Sequence, residues 1–236
     1  MTTQMRHRVL ITGGASGIGA AIADRCRIDG FDVVVLDQRG DGIIADLSDP
    51  EATARALDEA LEGGPITRIV NNVGVVLPAP ADTQSLDDLA TSWKVNVGSA
   101  LQCTQRLLPG MKEAGFGRIV SISSRAILGK ELRSAYTATK SALVGLTRVW
   151  ALEFGEFGIT ANAIAPGPIE TELFRKANPV DSPLTRAIVE SIPVGRMGTP
   201  EDVASAASFL LGPESGFITG QTLYVCGGVS LGELAA

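Results

Sequence analysis

Short apolar runs alternate with longer stretches of helical period along the whole chain. The apolar runs fall at 8–12, 32–37, 42–45, 68–71, 117–123, 160–165 and 221–225. Between them, patterns suited to helices cover 17–30, 50–61, 86–112, 134–154 and 200–211. Val33-Val-Val-Leu36 and Ile119-Val-Ser-Ile122 are almost continuously apolar, as strands buried on both faces of a parallel sheet must be. Alternation of this kind, with right-handed crossovers, predicts an α/β fold. It would be a doubly wound parallel sheet of about seven strands with helices on both faces.

Helix starts are marked by Asp49-Pro50-Glu51 and Thr199-Pro200-Glu201-Asp202, each ordering a cap, a proline and an acid. No repeat, low-complexity tract or linker divides the chain, so residues 1–236 are expected to form a single domain. The most loop-like region is 166–193, with five prolines plus Asn178, Asp181 and Ser182. A segment of this length in a compact domain predicts a substrate lid at 168–193. Its Leu173, Phe174, Val180, Leu184, Ile188 and Ile192 fit either a pocket wall or packing onto the body.

The stretch that follows Tyr136 is apolar around much of its circumference, through Ala142, Leu143, Val144, Leu146, Val149, Trp150 and Phe154. The sheet covers one face of such a helix. A second copy is the expected cover for the other, giving a homo-oligomer, either dimer or tetramer.

The 236 residues are 45% hydrophobic and 19% charged, which supports a substantial core and excludes a disordered chain. A net charge of −6 argues against a nucleic-acid partner, which selects for a basic surface. No apolar run approaches the roughly 18–20 residues that span a bilayer, so no membrane segment is expected. The first eight residues lead into a strand without a signal-type apolar region, and the expected location is cytoplasmic. Cys26, Cys103 and Cys226 lie far apart, and His7 is the single histidine. No metal site is expected, and no Ser-His-Asp or Cys-His system can be assembled.

Thr12-Gly13-Gly14-Ala15-Ser16-Gly17-Ile18-Gly19 directly follows Val9-Leu10-Ile11 and opens a helical pattern. Glycines at such a junction allow a sharp turn and let the backbone approach a pyrophosphate. The helix start adds free N–H groups and the positive end of a dipole. Asp37 closes the second strand, where a carboxylate accepts hydrogen bonds from the adenosine ribose hydroxyls and repels a 2′-phosphate. NAD is therefore expected over NADP, although Arg39 pulls the other way.

Tyr136 and Lys140 stand four residues apart and share one helix face. A free phenol, with a pKa of about 10, is a poor base at neutral pH. A neighbouring ammonium favours the phenolate, which predicts a lowered pKa and a general acid–base role.

With these residues in place the chain resembles the short-chain dehydrogenase/reductase family, in particular its 3-oxoacyl-carrier-protein-reductase-like members. The matching motifs run through the whole chain in order. They are Thr12–Gly19, Asp46, Asn71-Asn-Val-Gly74, Asn96, Ile122-Ser-Ser124, Tyr136-x-x-x-Lys140, Pro166-Gly-Pro-Ile-Glu-Thr171 and Ile218-Thr-Gly-Gln221. The resemblance implies a Rossmann-type fold and a catalytic set of Asn96, Ser124, Tyr136 and Lys140. It implies a cofactor site of Gly13, Ser16, Gly17, Ile18, Gly19, Asp37, Asp46, Leu47, Asn72, Gly74, Tyr136, Lys140, Pro166, Gly167, Ile169 and Thr171. In that scheme Asn96 holds a water linking Lys140 to solvent, Asp46 meets the adenine edge, and Ile169 and Thr171 face the nicotinamide carboxamide.

Two departures stand out. Val73 replaces the family's common alanine, and the serine thirteen residues before the tyrosine is Ser123 rather than Ser124. Alignment on the strand favours Ser124, with Ser123 as the alternative. The expected activity is interconversion of a secondary alcohol and a ketone with NAD. The alternatives are an NADP-dependent 3-oxoacyl-carrier-protein reductase, a non-catalytic dinucleotide-binding regulator, and an isomerase or dehydratase on the same framework.

Overall fold

The strands are β1 (Arg8–Thr12), β2 (Asp32–Asp37), β3 (Ile43–Ile44), β4 (Arg68–Asn71), β5 (Gly117–Ile122), β6 (Ile159–Pro166) and β7 (Thr222–Val225). All pair in parallel in the order β3-β2-β1-β4-β5-β6-β7. The computed structural model describes residues 7–179 and 182–232. Residues 1–6, Val180, Asp181 and 233–236, some of which entered the reading of the sequence, lie outside that set.

Helices α1 (Gly17–Ile28), α2 (Pro50–Glu62), α3 (Leu86–Trp93), α4 (Ser99–Glu113) and α5 (Ser134–Phe154) come from the first two thirds of the chain. Helices α6 (Glu172–Ala177), α7 (Pro183–Glu190) and α8 (Pro200–Leu211) follow β6. The period-two alternation of each strand sorts its side chains between two cores. Leu10, Leu36, Ile69 and Ile119 pack with Leu57, Leu107 and Trp150 of α2, α4 and α5. Val9, Ile11, Val70 and Val120 pack with Ile22, Cys26, Val203 and Leu210 of α1 and α8. The sheet is doubly wound, as expected, and the three cysteines are buried and free.

Local chemistry sets the helix ends. Asp49 accepts from Glu51 N and Ala52 N at 2.9 and 3.3 Å, with Pro50 in the first turn. Thr199 and Asp202 form a reciprocal capping box. Arg196 and the Thr199 N–H hold the Asp202 carboxyl down to about 2.

The helix expected at 86–112 runs from α3 into α4 without interruption, widened by a π-helical turn at Lys94–Gly98. That turn holds two β-branched valines and a glycine, poor helix formers, and Asn96 is drawn away to the chain after β4. The segment at 168–193 contains helices α6 and α7, capped by Thr171 and by Ser182 with Pro183 in the first turn. Its apolar residues divide. Phe174, Ile188 and Ile192 pack with Met197, Cys226 and Tyr224, whereas Leu173 and Leu184 are exposed.

Helix α5 buries Leu143, Val144, Trp150 and Phe154 against its own chain, and it leaves Val149 and Leu152 open. No helix among the described residues is long and apolar enough to cross a membrane.

Candidate active site

Strand order reverses between β1 and β4, because the chain leaves β1 towards β2 and returns on its other side. Ligands of such sheets bind at the carboxyl ends of the strands beside that switch point. Thr12 ends β1 and Asn71 ends β4, so Thr12–Gly19 and Asn71–Gly74 meet there. The Thr12 hydroxyl accepts from Asn72 N and Val73 N at 3.0 and 3.1 Å. The Asn72 amide donates to Thr12 O and Gly13 O, both at 3.0 Å. Asn72 therefore fixes the shape of the first turn with its side chain.

Gly19 is where the helix start crosses that turn. A Cβ there would collide with the Gly13 carbonyl and lie 2.5 Å from Asn72 Nδ2, so only glycine fits. Ser16 is the N-cap of α1, but its side chain does not cap the helix. Instead its hydroxyl accepts from Arg39 Nη2 at 3.1 Å. The leading N–H groups of α1 are left facing the turn, a cradle suited to a pyrophosphate.

Asp37 Oδ2 accepts from Ala15 N at 3.0 Å, and Oδ1 accepts from Arg39 N at 3.3 Å. A carboxylate has about four acceptor directions, so this one keeps capacity for ribose hydroxyls. Asp46 accepts from Ser48 N at 2.9 Å and from Gln38 at 3.0 Å, and these bonds hold its carboxyl below the usual range. The side chains of Leu47 and Ile169 are buried in the two cores. With their side chains packed inward, both would meet a ligand through their backbone. Pro166 ends β6, and Gly167 N donates to Val225 O at 2.9 Å. Thr171 caps α6 through Phe174 N at 3.1 Å, and its methyl would lie 3.5 Å from a Cβ on Gly17. The start of α6 thus sits against the phosphate turn.

Helix α5 carries Tyr136 and Lys140 on one face, as their spacing requires. Lys140 is buried, with Nζ 5.9 Å from the Tyr136 ring centre, and it donates to Ile122 O at 2.7 Å. Burial pushes its ammonium down to about 8. The Ser124 hydroxyl accepts from Ala126 N at 3.1 Å and lies close enough to Tyr136 to favour the phenolate. The phenol departs from the expected lowering. Its pKa is raised, because burial outweighs the nearby Ser124 hydroxyl and the Arg133 charge. Lys140 spends its nearest contact on the Ile122 carbonyl and is not among the groups that shift the phenol.

Asn96 is buried and clamps the chain after β4. Its Oδ1 accepts from Val75 N at 2.7 Å, and its Nδ2 donates to Val75 O and Thr139 Oγ1 at 3.1 and 2.9 Å. Gly74 lies between Asn96 Oδ1 and Lys140 Nζ, where a Cβ would come within 3.2 and 3.1 Å of them. Asn96, Lys140 and Gly74 thus converge. Reading the sequence did not single out Thr12, Thr139 or the Ile122 carbonyl for this work. A hydroxyl in mid-helix was the available signal for Thr139.

The chain matches the family model described as enoyl-(acyl carrier protein) reductase over residues 13–230. It is 36% identical to subunit BbsD of (2S)-[(R)-hydroxy(phenyl)methyl]succinyl-CoA dehydrogenase from Thauera aromatica, covering 96% of this chain and 98% of that protein. It is 34% identical to the 3-oxoacyl-[acyl-carrier-protein] reductase MabA of Mycobacterium avium, over 95% of this chain and 90% of that one. Among solved structures it resembles a blue fluorescent protein from a metagenomic library in complex with NADPH. That match has a TM-score of 0.85 and 32% identity, covering 94% of this chain and 97% of the other.

Proposed function

Because this chain belongs to the short-chain dehydrogenase/reductase family, we propose that it is an NAD-linked oxidoreductase interconverting a secondary alcohol and a ketone. The observation that carries the reading is Ser124 standing close enough to Tyr136 to influence its phenol, one helical turn from buried Lys140 at the sheet's switch point. Two hydroxyls aimed at one place provide two donors for a substrate oxygen whose charge grows during reduction.

The dinucleotide, when bound, supplies the hydride donor or acceptor. Gly13, Ser16, Gly17, Ile18, Gly19, Asp37, Asp46, Leu47, Asn72, Gly74, Pro166, Gly167, Ile169 and Thr171 would hold it. In reduction, Tyr136 gives its proton to the oxygen of the carbonyl that receives hydride, leaving an alcohol. A raised phenol is protonated at neutral pH and ready for that step. Oxidation reverses the transfers, with Tyr136 taking the hydroxyl proton. Ser124 holds the substrate oxygen, and Lys140, poised near neutrality, exchanges protons beside the phenol. Asn96 positions the chain around Gly74 and Lys140.

Asp37 supports NAD. The hydrogen bond from Arg39 to Ser16 supports a second reading, because it holds a guanidinium at the phosphate turn where a 2′-phosphate would be welcome. The NADPH-bound structural neighbour and the 3-oxoacyl-carrier-protein reductase relative agree with that alternative. Helices α6 and α7 form the proposed lid. A second copy over Val149 and Leu152 of α5 would give the proposed dimer or tetramer, in the cytoplasm.

A panel of ketones and secondary alcohols, followed at the absorbance of NADH and NADPH, tests substrate class and cofactor together. Conversion without net cofactor change would replace the reading with an isomerase or dehydratase. Binding without turnover would replace it with a regulator.

A further inference from the structure

Helix α5 carries two buried threonines whose hydroxyls bond carbonyls of their own helix. The Thr147 hydroxyl donates to Leu143 O at 2.8 Å. Thr139 lies between Tyr136 and Lys140, fully buried, and its hydroxyl belongs to a longer chain of bonds. It stands 3.0 Å from Ala135 O and 2.9 Å from Tyr136 O, and its one proton is shared between those carbonyls. In the helical pattern Tyr136 O also takes the N–H of Lys140. The Thr139 hydroxyl therefore acts on the turn that carries both the phenol and the ammonium.

On its other side the Thr139 oxygen accepts from Asn96 Nδ2 at 2.9 Å. Asn96 meets Val75 with both ends of its amide, Oδ1 accepting from Val75 N and Nδ2 donating to Val75 O. Turning the amide round would set its N–H groups against the Val75 N–H, so this orientation is fixed. An amide nitrogen carries two hydrogens. One goes to Val75 O, and the second is left to reach α5, where Thr139 takes it. Bonds thus run unbroken from the chain after β4, through the π-helical turn, to the carbonyl of Tyr136. Gly74 packs into the same place, since a Cβ there would lie 3.1 Å from Lys140 Nζ and 3.2 Å from Asn96 Oδ1.

Helix propensity does not account for a threonine at this position. A β-branched side chain loses freedom in a helix, and a hydroxyl bonded to the preceding turn tends to bend it. Without that hydroxyl the Asn96 N–H would be buried with no acceptor, and the Tyr136 turn would lose its tie. Misplacing a reacting group by about 1 Å costs about 100-fold in rate.

We propose that Thr139 is a positioning residue of the reaction, linking Asn96 to the Tyr136 carbonyl and so fixing the turn that aims the phenol at the substrate oxygen. The proposal rests on the dehydrogenase reading above and adds a residue that acts through Tyr136 without touching substrate.

The test follows reduction of ethyl acetoacetate, cyclohexanone and acetoacetyl-CoA by NADH and NADPH. The proteins are the wild-type chain, Thr139→Val, Thr139→Ser and Thr147→Val. Thr139→Val keeps the shape and loses the hydroxyl. It lowers kcat and the single-turnover rate by about 10–100-fold, with dinucleotide affinity within a few-fold of wild type. Thr139→Ser keeps the hydroxyl and recovers most of the rate. Thr147→Val, which removes the other buried hydroxyl of the helix, leaves kcat within a few-fold of wild type. Thr139→Ala takes the place of the valine variant if that chain does not fold. Turnover by Thr139→Val within a few-fold of wild type overturns the proposal. An equal loss in Thr147→Val, or a loss that serine does not recover, overturns it as well.

If the wild-type chain reduces none of the three ketones, the phenol itself decides the proposal apart from the dehydrogenase reading. The chain has two tyrosines, so Tyr224→Phe leaves Tyr136 as the single ring whose Cζ NMR resonance is titrated. Burial, Ser124 and Arg133 set its midpoint. In Thr139→Val the displaced phenol meets more water, and its midpoint falls towards the ordinary value of about 10. Thr139→Ser restores the wild-type midpoint. A midpoint that Thr139→Val leaves unchanged overturns the proposal.

Discussion

The hydroxyl of Ser123 donates to the main-chain carbonyl of Lys140 at 2.8 Å, which ties the end of β5 to the middle of α5. Its neighbour Ser124 faces the other way, close enough to Tyr136 to favour the phenolate. Two adjacent serines thus divide between holding the helix and meeting the substrate. Ser124→Ala should lower kcat/KM by about 100-fold or more, the scale of losing one donor to a developing oxyanion. Ser123→Ala should leave turnover within a few-fold of wild type and lower stability by about 1 kcal/mol. Steady-state kinetics and denaturant unfolding of both variants check this. Loss of activity in Ser123→Ala alone would exchange the two roles.

Lys140 makes stability depend on pH in a defined sense. Its folded pKa of about 8 lies below its ordinary value of 10.5. Between those values the unfolded chain holds a proton that the native chain has released. Stability contributed at this position therefore rises with pH across that window. The Lys140→Met variant lacks this titration, while both chains share every thiol and phenol. The stability of wild type relative to Lys140→Met should rise by about 2 kcal/mol between pH 7 and 9.5. Urea unfolding at the two pH values measures it, and a constant difference would place the Lys140 pKa outside the window.

Gly19→Ala should weaken dinucleotide binding by about 100-fold or prevent folding, because its methyl would have to displace the Gly13 carbonyl and the Asn72 amide. Gly145 in α5 provides the contrast, since a Cβ there meets nothing within 4 Å. Gly145→Ala should raise stability by about 0.5–1 kcal/mol, as expected for removing glycine from a helix interior. Fluorescence titration with NADH and NADPH and thermal unfolding distinguish the two sites.

Asp37→Ser tests cofactor choice. Removing the carboxylate leaves Arg39 as the charge at the ribose end of the turn. The ratio of kcat/KM for NADH over NADPH should fall by about tenfold or more, the effect of removing one repulsive charge and its hydrogen bonds. An unchanged ratio would mean that Asp37 serves only to hold Ala15 N.

The strand pattern and the glycine turn were legible in the sequence because they follow from local period and local backbone demand. The parallel strands and α5, at Ser134–Phe154, fell where the apolar spacing puts them. Tyr136 and Lys140 were brought together by helix geometry alone. The π-helical turn was not legible; Asn96 within it bonds Val75, 21 residues away in sequence, a contact that only the folded chain makes. Helices α6 and α7 were obscured by prolines that read as loop, although Ser182-Pro183 is itself a helix start. The direction of the Tyr136 shift was not legible, since burial raises the phenol and Lys140, turned to the Ile122 carbonyl, is not among the groups that shift it. The bond from Asn96 to Thr139 belongs to the same class, a contact between segments that only the folded chain brings together.

The most direct measurement is turnover by Tyr136→Phe, with dinucleotide binding followed in the same preparation. The ring keeps its packing and loses only the proton that reaches the substrate oxygen. The expected result is cofactor affinity within a few-fold of wild type and kcat lower by about 1,000-fold, within the range of a lost general acid. Catalysis within a few-fold of wild type would contradict the role of Tyr136 and leave the dinucleotide fold without its proposed chemistry.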